Sequence, residues 1–364
     1  MQLRLTASSS RSLNHHHLRR LSPITTTTSS TTFSTTYSSS SATPRHHHRR
    51  PFSSSPATLK MKESDIKRNP HPDFKKVEAS RPAWTRDTDG GFKYTQTASP
   101  AWKFGSGAND LATDDQKHKQ HVTIDPYAEG RAPVNNYKLL ISAVVPRPIA
   151  FVSTVSPDGK KTNLAPYSYF QVVSHDPPLF VIGFASSLDG AAAAKHTLHN
   201  LAETRECTIN IISEHFIEAA NSTSINAPFG SSEWAVSGLT PAYDCETVRP
   251  ARVKEAVFSV EAKLESLREF ESRSKPGTKH ATMAVVEGTR FWVREDAINE
   301  DRNLIDPSVL RPISRLGGIT YGRTIEGFEL LRPDFNKDLG GPEAYEKLQA
   351  ESGAKDDSRA EEKI

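Results

Sequence analysis

Short hydroxyl and amide side chains gather at Ser153 and Thr154, and again from Asn163 through Ala165, Pro166 and Tyr167 to Ser168. Pro166 interrupts the second group at a strand end, so not all the nearby amides are committed to a ladder and some can serve a polar ligand. Further along, the small residues Gly190 to Ala194 lead into Lys195, Thr197 and Asn200. A helix opening there turns unpaired N–H groups and its positive dipole end toward an anion, with Lys195 adding a charge and Thr197 a hydroxyl. Arg315, followed by Gly317-Gly318, offers a further cation. This chemistry would hold an elongated polar ligand with a phosphate at one end. Taken singly, the same segments also read as an ordinary turn after a strand, a well-formed helix start and a surface cation.

Other chemistries find less support. No G-x-G-x-x-G follows a strand and no G-x-x-x-x-G-K-[ST] occurs, which argues against a separate dinucleotide domain or a P-loop. His175 and Asp176 are sequence neighbours and cannot face one another as a triad requires, and no nucleophile elbow accompanies them. The two cysteines, Cys207 in an apolar run and Cys245 in a polar loop, give neither zinc spacing nor a disulfide framework. Two His triplets near the N-terminus match no closed metal site and read as solvated tract. No metal is expected, and no apolar stretch is long enough to span a membrane.

The elements that must position these residues are mostly strands. Short apolar runs rich in β-branched residues occur at 149–155, 179–185, 207–212, 253–267 and 281–294, separated by turn signals. Ser156-Pro157-Asp158-Gly159 is a tight turn, so Phe151 to Val155 should pair with Lys161 to Ala165 as a hairpin. Helices are expected at Gly190–Glu203 and at Glu214–Asn221, the latter with Ser213 as N-cap. The class is therefore mainly β, an antiparallel barrel or sandwich with helical excursions.

The order of these segments resembles one family. Pro146-Arg147-Pro148-Ile149-Ala150-Phe151-Val152-Ser153-Thr154, the Asp158-Gly159 turn, Asn163-Leu164-Ala165-Pro166-Tyr167-Ser168 and Asp176-Pro177-Pro178 are similar, in that order, to motifs of the flavin reductase-like FMN-binding family, particularly its flavoredoxin-type branch. Lys195-His196-Thr197 with Asn200 is similar to that family's K-D-T-x-x-N helix, and Arg315-Leu316-Gly317-Gly318 with Tyr321 to its closing R-L-G-G-x-x-Y. The resemblance implies a split barrel of Greek-key antiparallel strands, working as a homodimer. It further implies an FMN-dependent oxidoreductase passing electrons from NAD(P)H through FMN to a flavin, a metal complex or a protein, with no side-chain acid or base required. A non-enzymatic FMN carrier would use the same pocket, and a scaffold that has lost its flavin is a third reading.

On this reading Ser153, Thr154, Asn163 and Ser168 serve the ribityl chain and the ring edge, Lys195 and Thr197 serve the phosphate, and Ala165, Pro166, Tyr167 and Asn200 complete the cofactor site. Arg315 either closes over the flavin or belongs to the subunit contact. One departure is His196, which stands where many relatives have an acid.

Composition divides the rest of the chain. Residues 1–62 carry nine Lys and Arg, no Asp or Glu, and long Ser/Thr runs. Such a segment cannot nucleate a core, and its composition is that of a mitochondrial transit peptide. Arg50-Pro51-Phe52-Ser53-Ser54-Ser55 resembles a matrix-processing site. A plain disordered leader is the alternative, and initiation at Met61 would give a cytosolic form. Removing the leader's nine positive charges from the formal +3 leaves −6 for the remainder, which argues against a nucleic-acid partner. Residues 63–121 read as an extended arm anchored by spaced aromatics, 122–333 as the folded domain, and 334–364 as a charged tail, helical or disordered.

Overall fold

The computed structural model describes residues 71–84, 91–189 and 194–361. Its body is a seven-stranded antiparallel sheet: β1 (Ala150–Val155), β2 (Thr162–Tyr167), β3 (Phe170–His175), β4 (Pro178–Phe184), β5 (Glu206–Ile211), β6 (Phe258–Glu271) and β7 (Lys279–Val293). The strand order is β2-β1-β5-β6-β7-β4-β3. The two edge strands, β2 and β3, are thus consecutive in sequence and separated only by Ser168 and Tyr169. A sheet whose opposite edges are joined by two residues must curl until those edges meet, which gives a barrel with a split between β2 and β3 instead of a closing ladder. At that corner the Gly183 amide donates to the Tyr169 carbonyl at 2.7 Å. A Cβ on Gly183 would lie 3.0 Å from that of Tyr169, so the missing side chain lets the chain cross.

Every residue of β1 is buried, because both faces of the sheet are covered there. On one face Ala150 and Val152 join Ile182, Phe184, Ile209, Val260 and Ala284 in a core closed by Leu198 and Leu201 of helix α2 (His196–Thr204). On the other, Phe151 packs with Leu164, Ile212, Phe216 and Trp234, under helices α3 (Ile217–Ser222) and α4 (Glu233–Ser237). The expected hairpin forms, with Val152 opposite Ala165 and Thr154 opposite Asn163.

Several expectations need correction. Helix α2 begins at His196, not at Gly190, and residues 190–193 lie outside the described residues. Lys195 is held extended because its amide donates to Ser186 Oγ at 3.1 Å. The segment from Glu214 is a 3₁₀ turn that gives way to α3 at Ile217, and Ser213 makes no side-chain cap. There the Glu214 amide donates to the Arg311 carbonyl, which bends the entry. The run 253–267 is broken: Arg252–Val253 pairs with Pro241–Ala242, and β6 starts only at Phe258. Helix α1 (Pro133–Ala143), which is not among the expected elements, opens with Pro at its first turn and buries only Ile141. In the arm, Lys93–Thr95 pairs in parallel with Glu326–Phe328, and Trp84 Nε1 donates to Glu214 Oε1 at 3.1 Å. The tail carries the helix Gly341–Glu361. No helix among the described residues is long and apolar enough to cross a membrane.

Candidate functional site

The split between β2 and β3 opens into a cleft of about 740 Å³. One wall is β2 and the corner after it: Asn163, Ala165, Pro166, Tyr167, Ser168 and Tyr169. The cleft is also lined by Ser186, Ser187, Lys195 and His196, by Tyr137, Arg147, Glu233, Arg315 and Tyr321, and by residues between Asn221 and Ala227.

Two sequence motifs some 170 residues apart meet here. Arg147 and Arg315 form a reciprocal backbone bridge, N–H to carbonyl at 3.1 and 2.9 Å. This brings the Pro-Arg-Pro segment against strand β8 (Ile313–Arg315), which pairs with β9 (Tyr321–Arg323). Gly317 permits the approach, since a Cβ there would lie 3.2 Å from Cα and Cβ of Ser142 at the end of α1.

The two guanidinium groups have different duties. Arg147 is buried and spends its N–H groups on the carbonyls of Ile141 (2.6 Å), Val144 (2.7 Å) and Leu316 (3.0 Å). It closes the C-terminal end of α1, where a cation is favoured by the dipole. Burial, and secondarily the charge of Arg315, push its pKa down, with Tyr169 and Tyr137 opposing. Arg315 donates through Nη2 to the Gly318 carbonyl at 2.8 Å and lies 4.3 Å from the centroid of the Tyr321 ring. Tyr321 in turn donates to Asn221 Oδ1 at 2.7 Å, and burial raises its own pKa. Arg315 is therefore an oriented cation on the cleft wall, whereas Arg147, which also lines the cleft and reaches Ser168 Oγ through Nε at 3.5 Å, serves chiefly as a structural clasp.

The residues expected to bind a ligand fall into two groups. Asn163, Ala165, Pro166, Tyr167, Ser168, Lys195 and Arg315 line the cleft. Ser153, Thr154, Thr197 and Asn200 do not; they are buried behind its wall. Asn163 Nδ2 donates to Thr197 Oγ1 at 2.7 Å, and Asn200 Nδ2 to Thr154 Oγ1 at 3.1 Å. These bonds tie α2 to β1 and β2. They fix where the helix start and Asn163 sit, and leave Thr197 and Asn200 with no surface on the cleft.

Cleft residues outside the expected set include Tyr137, Arg147, Tyr169, Ser186, His196, Glu233, Lys279, His280 and Tyr321. His196 and Tyr321 already stood in the motifs; Glu233 arrives only through tertiary packing and leaves no signal in the sequence. Glu233 is 4% exposed and accepts the Leu164 amide at 3.1 Å. Among the described residues no group of three or more His, Cys, Asp or Glu side chains is placed to hold a metal.

Residues 142–310 match the model of the flavin reductase like domain. A protein of uncharacterized function from Halalkalibacterium halodurans is 36% identical over 202 residues, 56% of this chain and 93% of its own length. Another, from Bacillus subtilis, is 34% identical over 199 residues, 55% of this chain and 94% of its own. Among solved structures, nitrilotriacetate monooxygenase component B from Bacillus cereus is similar at 33% identity and TM-score 0.52, over 58% of this chain and all of that one. The 2-nitrobenzoate 2-nitroreductase of Pseudomonas fluorescens is similar at 28% and 0.50, over 59% and 98%.

Proposed function

As the chain belongs to the flavin reductase-like family, a family of split-barrel flavoproteins, we propose that it is an FMN-dependent oxidoreductase that draws electrons from NADH or NADPH and works as a homodimer. The observation that carries this reading is the composition of the cleft. Its volume of about 740 Å³ lies within the range of small-molecule and cofactor sites. Asn163 and Ser168 offer polar groups, Tyr137, Tyr167 and Tyr321 offer flat walls, and Lys195 and Arg315 offer cations. Those are the surfaces a planar ring, a hydroxylated chain and a phosphate demand, so the residues present fit FMN.

Bound FMN would supply the redox chemistry itself. The protein's part is placement. Thr197 holds the Asn163 amide, and Asn163 with Ser168 would orient the polyol chain and ring edge. Tyr321 and the Gly318 carbonyl hold Arg315 against the cleft, where it would balance negative charge on the ligand. A nicotinamide would dock on the open face of the cleft, beside the flavin. The solved relatives named a monooxygenase component and a nitroreductase support a redox role of this kind, with the final acceptor being a flavin, a metal complex or a protein.

Dimerisation is supported by the edge strand β3, where Val172 and Val173, at an irregularity in the β3–β4 ladder, are 54% and 57% exposed, so that adjacent apolar side chains face solvent at the sheet edge. Leu139, Leu140 and Val144 of α1 and the turn after it are also exposed. The acid-free leader supports import into the mitochondrial matrix, with a cytosolic form if translation starts at Met61; recovering the mature N-terminus from a mitochondrial fraction tests this.

The test of the main reading is an absorption spectrum of the purified protein before and after anaerobic NADH or NADPH. Flavin bands near one per subunit that bleach are expected. Bands that persist would make the protein a carrier, and no bands even after adding FMN would reject the flavoprotein assignment.

A further inference from the structure

Resting on the FMN reading, we propose that Glu233 is a specificity residue of the cleft. Its second carboxylate oxygen accepts a hydrogen bond from a hydroxyl of the ribityl chain, and so selects flavins that carry a polyol over the bare ring.

Glu233 is tied to the edge strand β2 at two neighbouring points. Its Oε2 accepts the Leu164 amide at 3.1 Å, and the hydroxyl of the preceding Ser232 lies 2.7 Å from that of Thr162. Trp234, next in the chain, is buried in the same core as Leu164 and Phe151. The side chain is therefore fixed by its neighbours on both sides, and it lines the cleft although only 4% exposed.

Satisfying one strand-edge amide takes one acceptor. A glutamine would supply it without the cost of withdrawing a charge from water. A carboxylate brings two oxygens with about four acceptor sites, and here only Oε2 is used. Among the described residues Oε1 has no hydrogen-bond partner, and Glu233 forms no ion pair. Nor is Oε1 sealed in the interior, as the orphaned Ser153 Oγ, Asn200 Oδ1, Ser213 Oγ and Trp234 Nε1 are. An almost fully buried, rigidly held carboxylate thus presents an open acceptor to the cleft.

What meets that acceptor must be a donor. Among the described residues of the cleft lining, Glu233 is the one carboxylate, against Arg147, Lys195, Lys279 and Arg315. A phosphate is repelled by it and drawn to those cations, whereas a hydroxyl gives it a charge-assisted hydrogen bond. The place also fits a polyol: Leu164, on which the carboxylate rests, directly follows Asn163, the residue that would orient the hydroxylated chain. The flavin ring, lying against the tyrosines, does not depend on Glu233.

The test is a titration of the flavin-free full chain with FMN, riboflavin and lumiflavin, which has a methyl group in place of the ribityl chain, followed by flavin fluorescence. Wild type is compared with Glu233→Gln, which keeps an oxygen for the Leu164 amide and replaces the open acceptor by a donor. The expected result is a loss of about tenfold in affinity for FMN and riboflavin alike, with lumiflavin unchanged. The ratio of riboflavin to lumiflavin affinity does not depend on how much of the protein is folded, so it separates this role from damage to the fold. Glu233→Asp keeps the charge but draws the carboxylate back by one methylene, and should lower the same ratio. Ser232→Ala, which removes the Thr162 tie and leaves the carboxylate, should not. An unchanged ratio in Glu233→Gln, or lumiflavin weakened as much as riboflavin, would overturn the role of Glu233 while leaving FMN binding intact. An equal drop in Ser232→Ala would reduce Glu233 to a cap on the strand edge and overturn it too. Absence of FMN binding in the wild type would reject the underlying assignment as well.

Discussion

The cleft wall and the seam behind it are built from the same kinds of residue and do different work. On the wall, Asn163, Ser168, Lys195 and Arg315 face a cavity. In the buried layers of the barrel, Thr154, Thr197 and Asn200 under α2 and Asn210 beside Phe151 and Val253 are 0–1% exposed and bond mainly to the protein itself. Asn163 belongs to both, since it lines the cleft while its amide nitrogen is committed to Thr197. The difference teaches that a short polar residue in a β-barrel wall is sorted by the pleat and by what covers it, and not by its chemistry. Substitutions in the seam should therefore cost stability, and substitutions on the wall should cost ligand.

The largest effect is expected at Asn210. Its Nδ2 donates to the Phe151 carbonyl at 2.9 Å, and its Oδ1 accepts from the Val253 amide at 2.9 Å and from Ser259 Oγ at 2.7 Å. Asn210→Ala strands three buried partners, which should cost about 3–4 kcal/mol. Denaturant unfolding would show it as a lower midpoint with unchanged slope. If instead stability holds and only flavin binding falls, the division between seam and wall is wrong.

Next comes Glu214, which sharpens the comparison from outside the barrel. Burial works against its charge, but hydrogen bonds from Arg311 and Trp84 and the nearby Arg323 outweigh it and hold the carboxyl below the ordinary range. A depressed carboxylate pKa stabilises the fold above the unfolded value and loses that contribution as pH falls through the folded one. Glu214→Gln should therefore destabilise by about 1–2 kcal/mol at pH 7 and by progressively less in acid, so that its melting curve and that of the wild type converge toward low pH. An offset that stays constant with pH would mean the loss is steric.

Arg315→Ala should act in the opposite sense to Asn210→Ala. With its partners a carbonyl and an aromatic face, its removal should leave stability within about 1 kcal/mol while weakening FMN binding about tenfold or more. Fluorescence titration beside a melting curve separates the two. A large loss of stability would move Arg315 from the wall to the frame, with Arg147.

How much of this was legible follows the same division. The hairpin β1–β2 could be read from Ser156-Pro157-Asp158-Gly159 because a turn is local, and Asn163 to Ser168 could be placed on the wall because Pro166 marks an edge strand. Nothing local distinguishes Thr197 from Lys195: the helix phase decides it, and that phase is fixed by Ser186 holding Lys195 extended, nine residues back in the chain. Arg147 looked like a motif residue of unknown duty because its partners, the carbonyls at the end of α1 and at Leu316, belong to a helix that the sequence did not announce and to a segment far away. Glu233 was invisible for the same reason.

The smallest effect, and the finest test, is at Asn200. Its Nδ2 donates to Thr154, but its buried Oδ1 has no hydrogen-bond partner among the described residues. Asn200→Leu keeps the branched shape and heavy-atom count, removes the orphaned oxygen and gives up one hydrogen bond of about 1 kcal/mol, so gain and loss nearly cancel. Stability should change by less than about 1 kcal/mol, and FMN affinity should not change, because the residue has no surface on the cleft. Asn200→Ala, which leaves a void beside Leu201 and Thr154, should cost more than the leucine variant. If both variants weaken FMN binding equally while folding stays intact, Asn200 reaches the ligand in solution and the wall is thinner than the structure makes it.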